Sequence, residues 1–179
     1  MARTTGQAAE SSTSARSARR PGARRPRSDR PAAVAALSAR GGSVAEFPTT
    51  AQAARAAREL GIPVVMGAPN VLRGESHSGN VSAAELVGLG LVTALASDYL
   101  PSGLLAGAFA LAGNGLVTLP TGIGLVTSGA AAVAGLSDRG SLATGLRADL
   151  ALVDDSASWP VVRATFRAAL RACRRSGFA

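Results

Sequence analysis

Short apolar runs alternate with helix-patterned segments from Pro31 onward. The runs have strand length and are bounded by Gly, Pro or polar residues, while the segments between them are rich in Ala. Strands are predicted at 43–47, 62–66 and 91–96, and helices at 32–40, from Thr50 to residue 60, and from 82 to about 90. This alternation is typical of parallel βα units.

Capping patterns support the boundaries of two of these helices. Thr49 or Thr50 is suited to cap the second helix, and Gly61 is suited to end it. Ser82 is followed three residues later by Glu85, which is the capping-box pattern. The residues between the second strand and Ser82 are predicted to form a polar loop, 67–80.

The last part of the chain has a different character. Helices are predicted at 101–112 and 119–134, and a strand at 147–153 is followed by a loop. The segment 161–166 is predicted to be a strand, although four arginines near it also suit one face of a helix, so periodicity leaves both open. These arginines are Arg163, Arg167, Arg171 and Arg174.

The segment from Tyr99 to Ser137 carries no charge over 39 positions. That is long enough to cross a bilayer, which needs about 20 apolar residues. Pro101, Asn114, Pro120 and eight Gly interrupt it. We therefore expect small-residue helices packed on a parallel sheet, with no membrane association.

The first 30 residues form a basic tail. They hold eight Arg against Glu10 and Asp29, whereas residues 31–179 have a net charge of only +2. Almost no large apolar residue occurs in the tail, so we expect it to be disordered. A solvated extension is the simplest interpretation, and polyanion binding or a transit peptide are alternatives. No apolar signal-peptide stretch follows the arginines, which favours a cytoplasmic location.

Composition excludes several kinds of chemistry within this chain. All 19 cations are Arg, so Schiff-base catalysis and a Walker-type phosphate loop are excluded. One His and one Cys cannot build a self-contained His-rich or multi-Cys metal site. Aromatic residues make up 3% of the chain, which argues against base stacking and therefore against nucleic acid as a partner.

Four motifs together resemble one enzyme family. They are Ala45-Glu-Phe-Pro-Thr-Thr50; Met66-Gly-Ala-Pro-Asn70 with Arg73-Gly-Glu-Ser-His-Ser-Gly-Asn80; Ser97-Asp98-Tyr99; and Asp138-Arg-Gly140 leading into Gly145-Leu-Arg-Ala-Asp-Leu150. This set is similar to the carboxy-terminal half of the diphosphatases of phosphonate metabolism, in the carbon–phosphorus lyase pathway and the amidohydrolase superfamily. The second motif is long and unusual, and the last is the weakest.

The resemblance implies a metal-dependent hydrolase that removes diphosphate from α-D-ribose 1-methylphosphonate 5-triphosphate. The implied fold is α/β, with residues 31–137 forming the last βα units of a partial (β/α)₈ TIM-type barrel. Residues 138–179 would then be a segment of a small β-domain. A divalent metal ion, zinc or a similar ion, is the implied cofactor.

Asp98 would be catalytic under this resemblance. It would ligate the metal and help to deprotonate the attacking water. His77 is an alternative metal ligand. An Asp at a strand end can also act only as the cap of the next helix.

The substrate, a phosphorylated ribose phosphonate, would be bound by residues at the mouth of the implied barrel. The Arg guanidinium, the Ser hydroxyls and the amides suit phosphate oxygens. A solvated loop and helix capping are the alternative interpretations. The residues assigned to substrate are Arg73, Ser76, His77, Ser78, Asn80, Glu46 and Thr49.

The chain also departs from the family pattern. A His-x-His pair and a bridging acidic residue are missing, and a complete barrel takes about 250 residues. We therefore expect a truncated protein that is inactive alone. The alternatives are a non-catalytic remnant, a split half that needs a complementing amino-terminal half, a homo-oligomer, and an Arg-tailed protein that binds anions or nucleic acid.

Overall fold

The computed structural model describes residues 31–74, 80–157 and 159–174, and the basic tail lies outside them. Two three-stranded sheets organise this part of the chain. The first, in the order β1-β2-β3, is parallel, and the second, in the order β4-β5-β6, is antiparallel. The strands are β1 (Ala45–Glu46), β2 (Val64–Gly67), β3 (Ala94–Ala96), β4 (Leu150–Asp154), β5 (Val161–Arg167) and β6 (Leu170–Arg174).

Seven helices occupy the described residues, and all of them precede the antiparallel sheet. The first two helices come before β2, the next two lie between β2 and β3, and the last three follow β3. They are α1 (Pro31–Ala39), α2 (Ala51–Glu59), α3 (Ala68–Arg73), α4 (Ala83–Gly88), α5 (Gly103–Gly113), α6 (Leu119–Val126) and α7 (Ser128–Val133). The predicted alternation of strands and helices is confirmed.

The middle strand, β2, is buried along its whole length. It is paired in parallel on both sides, with Val65 opposite both Glu46 of β1 and Ala94 of β3. The side chain of Thr93, just before β3, adds a further link because its Oγ1 accepts a 3.0 Å hydrogen bond from the Val64 N–H. The same oxygen accepts from Arg58, so the end of α2 is tied to the start of both strands.

Helix caps follow the predicted pattern. Thr50, rather than Thr49, caps α2 by accepting from the Ala53 N–H at 3.1 Å. Ser82 caps α4 by accepting from the Glu85 N–H at 3.0 Å. The two helices bury small or branched side chains in one core with β2 and β3, including Ala53, Ala54, Ala57, Leu86 and Leu95.

The uncharged segment forms three short helices that approach one another closely. A methyl group at Gly122 of α6 would lie 2.7 Å from the Ala108 carbonyl oxygen of α5, and one at Gly129 of α7 would lie 1.9 Å from that of Thr93. The glycines therefore permit backbone contact between helices and with β3. The predicted helix 119–134 is interrupted at Thr127, whose hydroxyl donates to the Ile123 carbonyl.

No helix among the described residues is both long enough and apolar enough to traverse a bilayer.

Residues 150–174 form an antiparallel meander. Residues 161–167 are a strand, so the helical alternative for this segment is wrong. Asp149 holds the meander to the preceding turn: its carboxylate accepts from Arg139, from Arg147 and from the Ala168 N–H at 2.9–3.2 Å. These contacts lower the pKa of Asp149, with the Ala168 hydrogen bond as the largest cause.

The described residues contain a three-stranded parallel sheet and no closed barrel, which is compatible with the expected partial α/β unit. One expectation needs correction. The predicted polar loop 67–80 begins with the helix α3, because Pro69 suits the first turn and Gly74, at φ 71°, ends it. The strand β6 was not anticipated.

The turn between β5 and β6 is strained. Ala168 and Ala169 connect the paired residues Arg167 and Leu170, and both have positive φ, 49° and 65°. Two-residue hairpins of this kind favour Asn-Gly, because a left-handed conformation costs an L-residue about 1–2 kcal/mol. We predict that the double substitution Ala168→Asn, Ala169→Gly raises the free energy of unfolding by about 1 kcal/mol, as measured by urea denaturation.

Ala132→Gly is the control for this substitution. Ala132 is exposed in α7, and it is not among the residues with positive φ. There, glycine should lower the free energy of unfolding by about 1 kcal/mol. A double turn variant no more stable than the wild type would contradict the assigned strain.

The acid sensitivity of the meander should depend on Asp149. A carboxylate with a lowered pKa stabilises the fold above its unfolded pKa, near 3.8, and this stabilisation is lost as the pH falls through the folded value. Asp149→Asn should therefore be less stable than the wild type at pH 7, and the difference should shrink from pH 4 to pH 2. Urea unfolding at several pH values measures this, with the exposed Asp155→Asn as control. A difference that is constant with pH would contradict it.

Candidate active site

The carboxyl ends of the three parallel strands meet at one edge of the first sheet. Gly67, the last residue of β2, is paired with Ala96, the last residue of β3, and β1 ends at Glu46 beside Val65. Ligand sites of parallel α/β folds lie at this edge, because the loops after the strands converge there. We call it the carboxyl edge.

Two residues at this edge have left-handed backbone conformations. Phe47 directly follows β1 and Asp98 follows β3 by two residues, and each has φ 51°. Among the described residues, the only other non-glycine residues with positive φ are the two alanines of the hairpin turn. A bulky residue such as Phe adopts this conformation at a cost. Strain of this kind clusters at functional sites, which supports the carboxyl edge as a site.

Phe47 is placed against the end of β2. A methyl group at Gly67 would lie 3.0 Å from the Phe47 ring, a tight contact that glycine avoids. The ring remains 41% exposed. An aromatic surface is therefore presented between the ends of β1 and β2.

Arg73 and Tyr99 connect the loops after β2 and β3. Arg73 is the last residue of α3, and its Nη2 donates a hydrogen bond to the Tyr99 hydroxyl. The guanidinium carbon also lies 5.4 Å from the centre of the Tyr99 ring, within the range of a cation–π contact. Tyr99 is 63% exposed and immediately follows Asp98. A cation is thus held against the residue that follows the candidate catalytic Asp98 in the sequence.

Thr49 connects the loops after β1 and β2. Its carbonyl oxygen accepts a 3.0 Å hydrogen bond from the Val81 N–H, and this bond brings the neighbouring Asn80 to the β1–α2 connection. The Thr49 hydroxyl oxygen is buried, and it has no hydrogen-bond partner among the described residues. Thr49 is therefore not a helix cap, which was one of its two interpretations.

The predicted site residues that the structure describes all belong to segments at the carboxyl edge. Glu46, Asp98, Arg73 and Asn80 are exposed there, and Thr49 is partly buried. Ser76, His77 and Ser78 lie outside the described residues. Sequence reasoning missed Tyr99 and Phe47 as site residues, although both stand inside the quoted motifs.

The acidic residues fall into two groups. The four ion pairs of the described residues join Asp138, Asp149 and Asp154 to arginines of the segment 139–163. Within that same part of the chain, neither Glu46 nor Asp98 takes part in an ion pair. Among the described residues, no arginine therefore neutralises the two carboxylates at the carboxyl edge.

The described residues do not make a complete metal centre. They contain no group of three or more His, Cys, Asp or Glu side chains that could hold a metal ion. Asp98 alone would supply one ligand, whereas a catalytic zinc site uses three protein ligands. A metal at this edge would need ligands from beyond the described residues.

A cleft of about 300 Å³ lies elsewhere, between α5 and the connection from β4 to β5. Its lining is mainly apolar and includes Leu72, Phe109, Ala110, Asp155 and Trp159. None of the candidate site residues lines it. We therefore place the candidate chemistry at the carboxyl edge and not in this cleft.

The fold and the edge define a class of protein: a parallel α/β unit with a charged site at the carboxyl ends of its strands. No family model matches the chain. The chain is 52% identical over 114 residues to the alpha-D-ribose 1-methylphosphonate 5-triphosphate diphosphatase of Escherichia coli (strain K12). The match covers 63% of this chain and 30% of that protein. The resemblance drawn from the motifs is therefore confirmed for a partial region of that protein.

The left-handed conformation of Asp98 leads to a stability prediction. Asn and Asp tolerate this conformation better than Ala does. Asp98→Asn should therefore unfold within about 0.5 kcal/mol of the wild type, whereas Asp98→Ala should lose about 1 kcal/mol. Chemical denaturation measures both, with Asp155→Ala as an exposed control outside the positive-φ residues. Equal stability of the Asn and Ala variants would show that the conformation is not strained.

Proposed function

We propose that this chain contributes the carboxyl-edge site of a phosphonate-pathway diphosphatase. The proposed substrate is α-D-ribose 1-methylphosphonate 5-triphosphate, and the products are the 5-phosphate and diphosphate. The observation that carries the proposal is the 52% identity to the E. coli diphosphatase, and the charged carboxyl edge supports it. Because the chain spans 30% of that relative, the activity is proposed for an assembly that includes further segments.

The proposed reaction is the hydrolysis of one phosphoanhydride bond. A water oxygen attacks the phosphorus next to the ribose, the bond to the bridging oxygen breaks, and diphosphate leaves. Asp98 accepts a proton from the attacking water, because a carboxylate without an ion-pair partner is suited to act as a base. Arg73 binds phosphate oxygens and offsets their negative charge.

The other proposed substrate residues surround these two. Thr49 and Asn80 offer a hydroxyl and an amide from the loops after β1 and β2, and Glu46 suits the hydroxyl groups of the ribose. Ser76, His77 and Ser78 are proposed to complete the phosphate site. The Thr49 hydroxyl has no hydrogen-bond partner among the described residues, which supports a ligand at this position because an unsatisfied buried oxygen costs about 1–3 kcal/mol.

A divalent metal ion, with Asp98 or His77 among its ligands, is also proposed. The roles of Asp98 in proton transfer and of Arg73 in phosphate binding do not depend on it. The described residues supply too few ligands for such an ion. We propose that a complementing amino-terminal half supplies the others. Membership of the amidohydrolase superfamily and a TIM-type barrel are proposed for the complete assembly.

A chimera tests the proposed function. The 114 matched residues of the E. coli diphosphatase are replaced by those of this chain, and diphosphate release is followed by ³¹P NMR. We expect the chimera to be active. Asp98→Asn in the chimera keeps the size and backbone preference of the residue but removes its charge, so kcat should fall by roughly 10²–10⁴-fold.

Glu59→Gln is the matched control. This residue is an exposed carboxylate at the end of α2, away from the carboxyl edge, and its loss should leave kcat unchanged. A folded chimera without diphosphatase activity would contradict the proposed function. A chimera in which Asp98→Asn retains full kcat would contradict the role of Asp98 and make it a turn residue only.

A further inference from the structure

We infer that Tyr99 is a positioning residue for Arg73 and that the two side chains together form the anion subsite of the carboxyl edge. The Tyr99 hydroxyl holds the guanidinium and donates its own proton to the phosphate oxygen that Arg73 binds. This inference rests on the proposed function and adds a residue and a ligand class to it: a phosphate chain held by a Tyr–Arg pair.

Two contacts restrain the Arg73 guanidinium. One is the hydrogen bond from Nη2 to the Tyr99 oxygen, and the other is the approach of the guanidinium carbon to within 5.4 Å of the ring centre. Arginine has many rotamers to lose when it binds a ligand. Because Tyr99 restricts them before the ligand arrives, less entropy is lost on binding and the affinity rises.

The hydrogen-bonding chemistry of the pair suits an anion. A phenol oxygen that accepts a bond from a cation still carries one O–H donor, and such polarised groups donate more strongly. The guanidinium has N–H donors in a fixed fork that suits phosphate oxygens, and one of these donors bonds to Tyr99. Phosphate offers several acceptor oxygens, so one phosphoryl group can accept from both side chains.

The Tyr99–Arg73 pair lies where a ligand can reach it from solvent, at the carboxyl edge. Arg73 is exposed after β2, and Tyr99 is 63% exposed after β3, so solvent reaches both. Tyr99 is adjacent in sequence to Asp98, whose positive φ turns the chain at this point. A phosphate bound by the pair would therefore lie at the same edge of the sheet as Asp98, to which the proposed function assigns proton transfer.

Calorimetric binding of inorganic triphosphate to the full 179-residue chain tests the inference. We expect Tyr99→Phe, which keeps the ring and removes the hydroxyl, to weaken binding about 10-fold. Arg73→Gln should weaken it at least as much, and the double variant should be no weaker than Arg73→Gln alone, because the two side chains act as a unit. Arg58→Gln is the charge-matched control at the opposite end of the strands, where Arg58 contacts Thr93.

A second measurement reports on the site itself. Tyr99 is the only tyrosine of the chain, so labelling with 3-fluorotyrosine gives one ¹⁹F resonance. Inorganic triphosphate should shift this resonance with the same dissociation constant as in calorimetry. The shift should disappear in Arg73→Gln and persist in Arg58→Gln. The basic tail is the same in every variant, so binding to it does not alter these differences.

The outcomes separate this inference from the proposed function. If Arg73→Gln weakens binding but Tyr99→Phe does not, Tyr99 has no positioning role, and phosphate recognition by Arg73 stands. If the losses of the two single variants multiply in the double variant, the side chains bind independently and the positioning role is wrong. If no variant changes the binding, the anion binds elsewhere and the proposed phosphate site fails together with the inference.

Discussion

The parallel hydrogen bonding of β2 to both of its neighbours is the constraint on which the rest of the structure depends. Val65 is opposite Glu46 on one side and Ala94 on the other, so three strands run in one direction with their ends aligned. Parallel pairing requires long crossovers, which the helices between the strands supply. The loops that carry Phe47, Arg73 and Asp98 are consequently brought to one edge. Without this register, those residues would be distant positions with no common location.

Small residues allow this sheet to be covered closely. The buried face of α2 is made of alanines, and Gly122 and Gly129 let backbone atoms of neighbouring elements approach within distances that a methyl group would block. Close packing of this kind gains dispersion contacts at many atoms, although no single contact is strong. The small, uncharged residues at these contacts are therefore explained by packing within the α/β unit.

The sequence allowed the order of strands and helices to be predicted, because periodicity and caps are local signals. The helix boundaries of the structure agree with those predicted from Thr50, Gly61 and Ser82. The α3 helix and the break at Thr127 have local signals that the prediction did not use, namely Pro69 and Gly74 for the helix and the Thr127 hydroxyl for the break. The strand β6 could not be predicted in this way, because its turn lacks the usual residues and depends on distant contacts: the N–H groups of Ala168 and Ala169 bond to Asp149 and Ala148. Tyr99 was missed as a site residue for the same reason, since its partner Arg73 is 26 positions away.

Electrostatics and backbone strain distinguish the two ends of the described structure. Around the meander, the carboxylates of Asp138, Asp149 and Asp154 are paired with arginines, and their pKa values are lowered by hydrogen bonds and nearby cations. One of these carboxylates, that of Asp149, accepts a hydrogen bond from the Ala168 N–H and so stabilises the strained hairpin turn. At the carboxyl edge, by contrast, Asp98 combines a strained backbone with a side chain outside all four ion pairs. No ion pair among the described residues stabilises this strain, which supports the proposal that a ligand binds at the carboxyl edge.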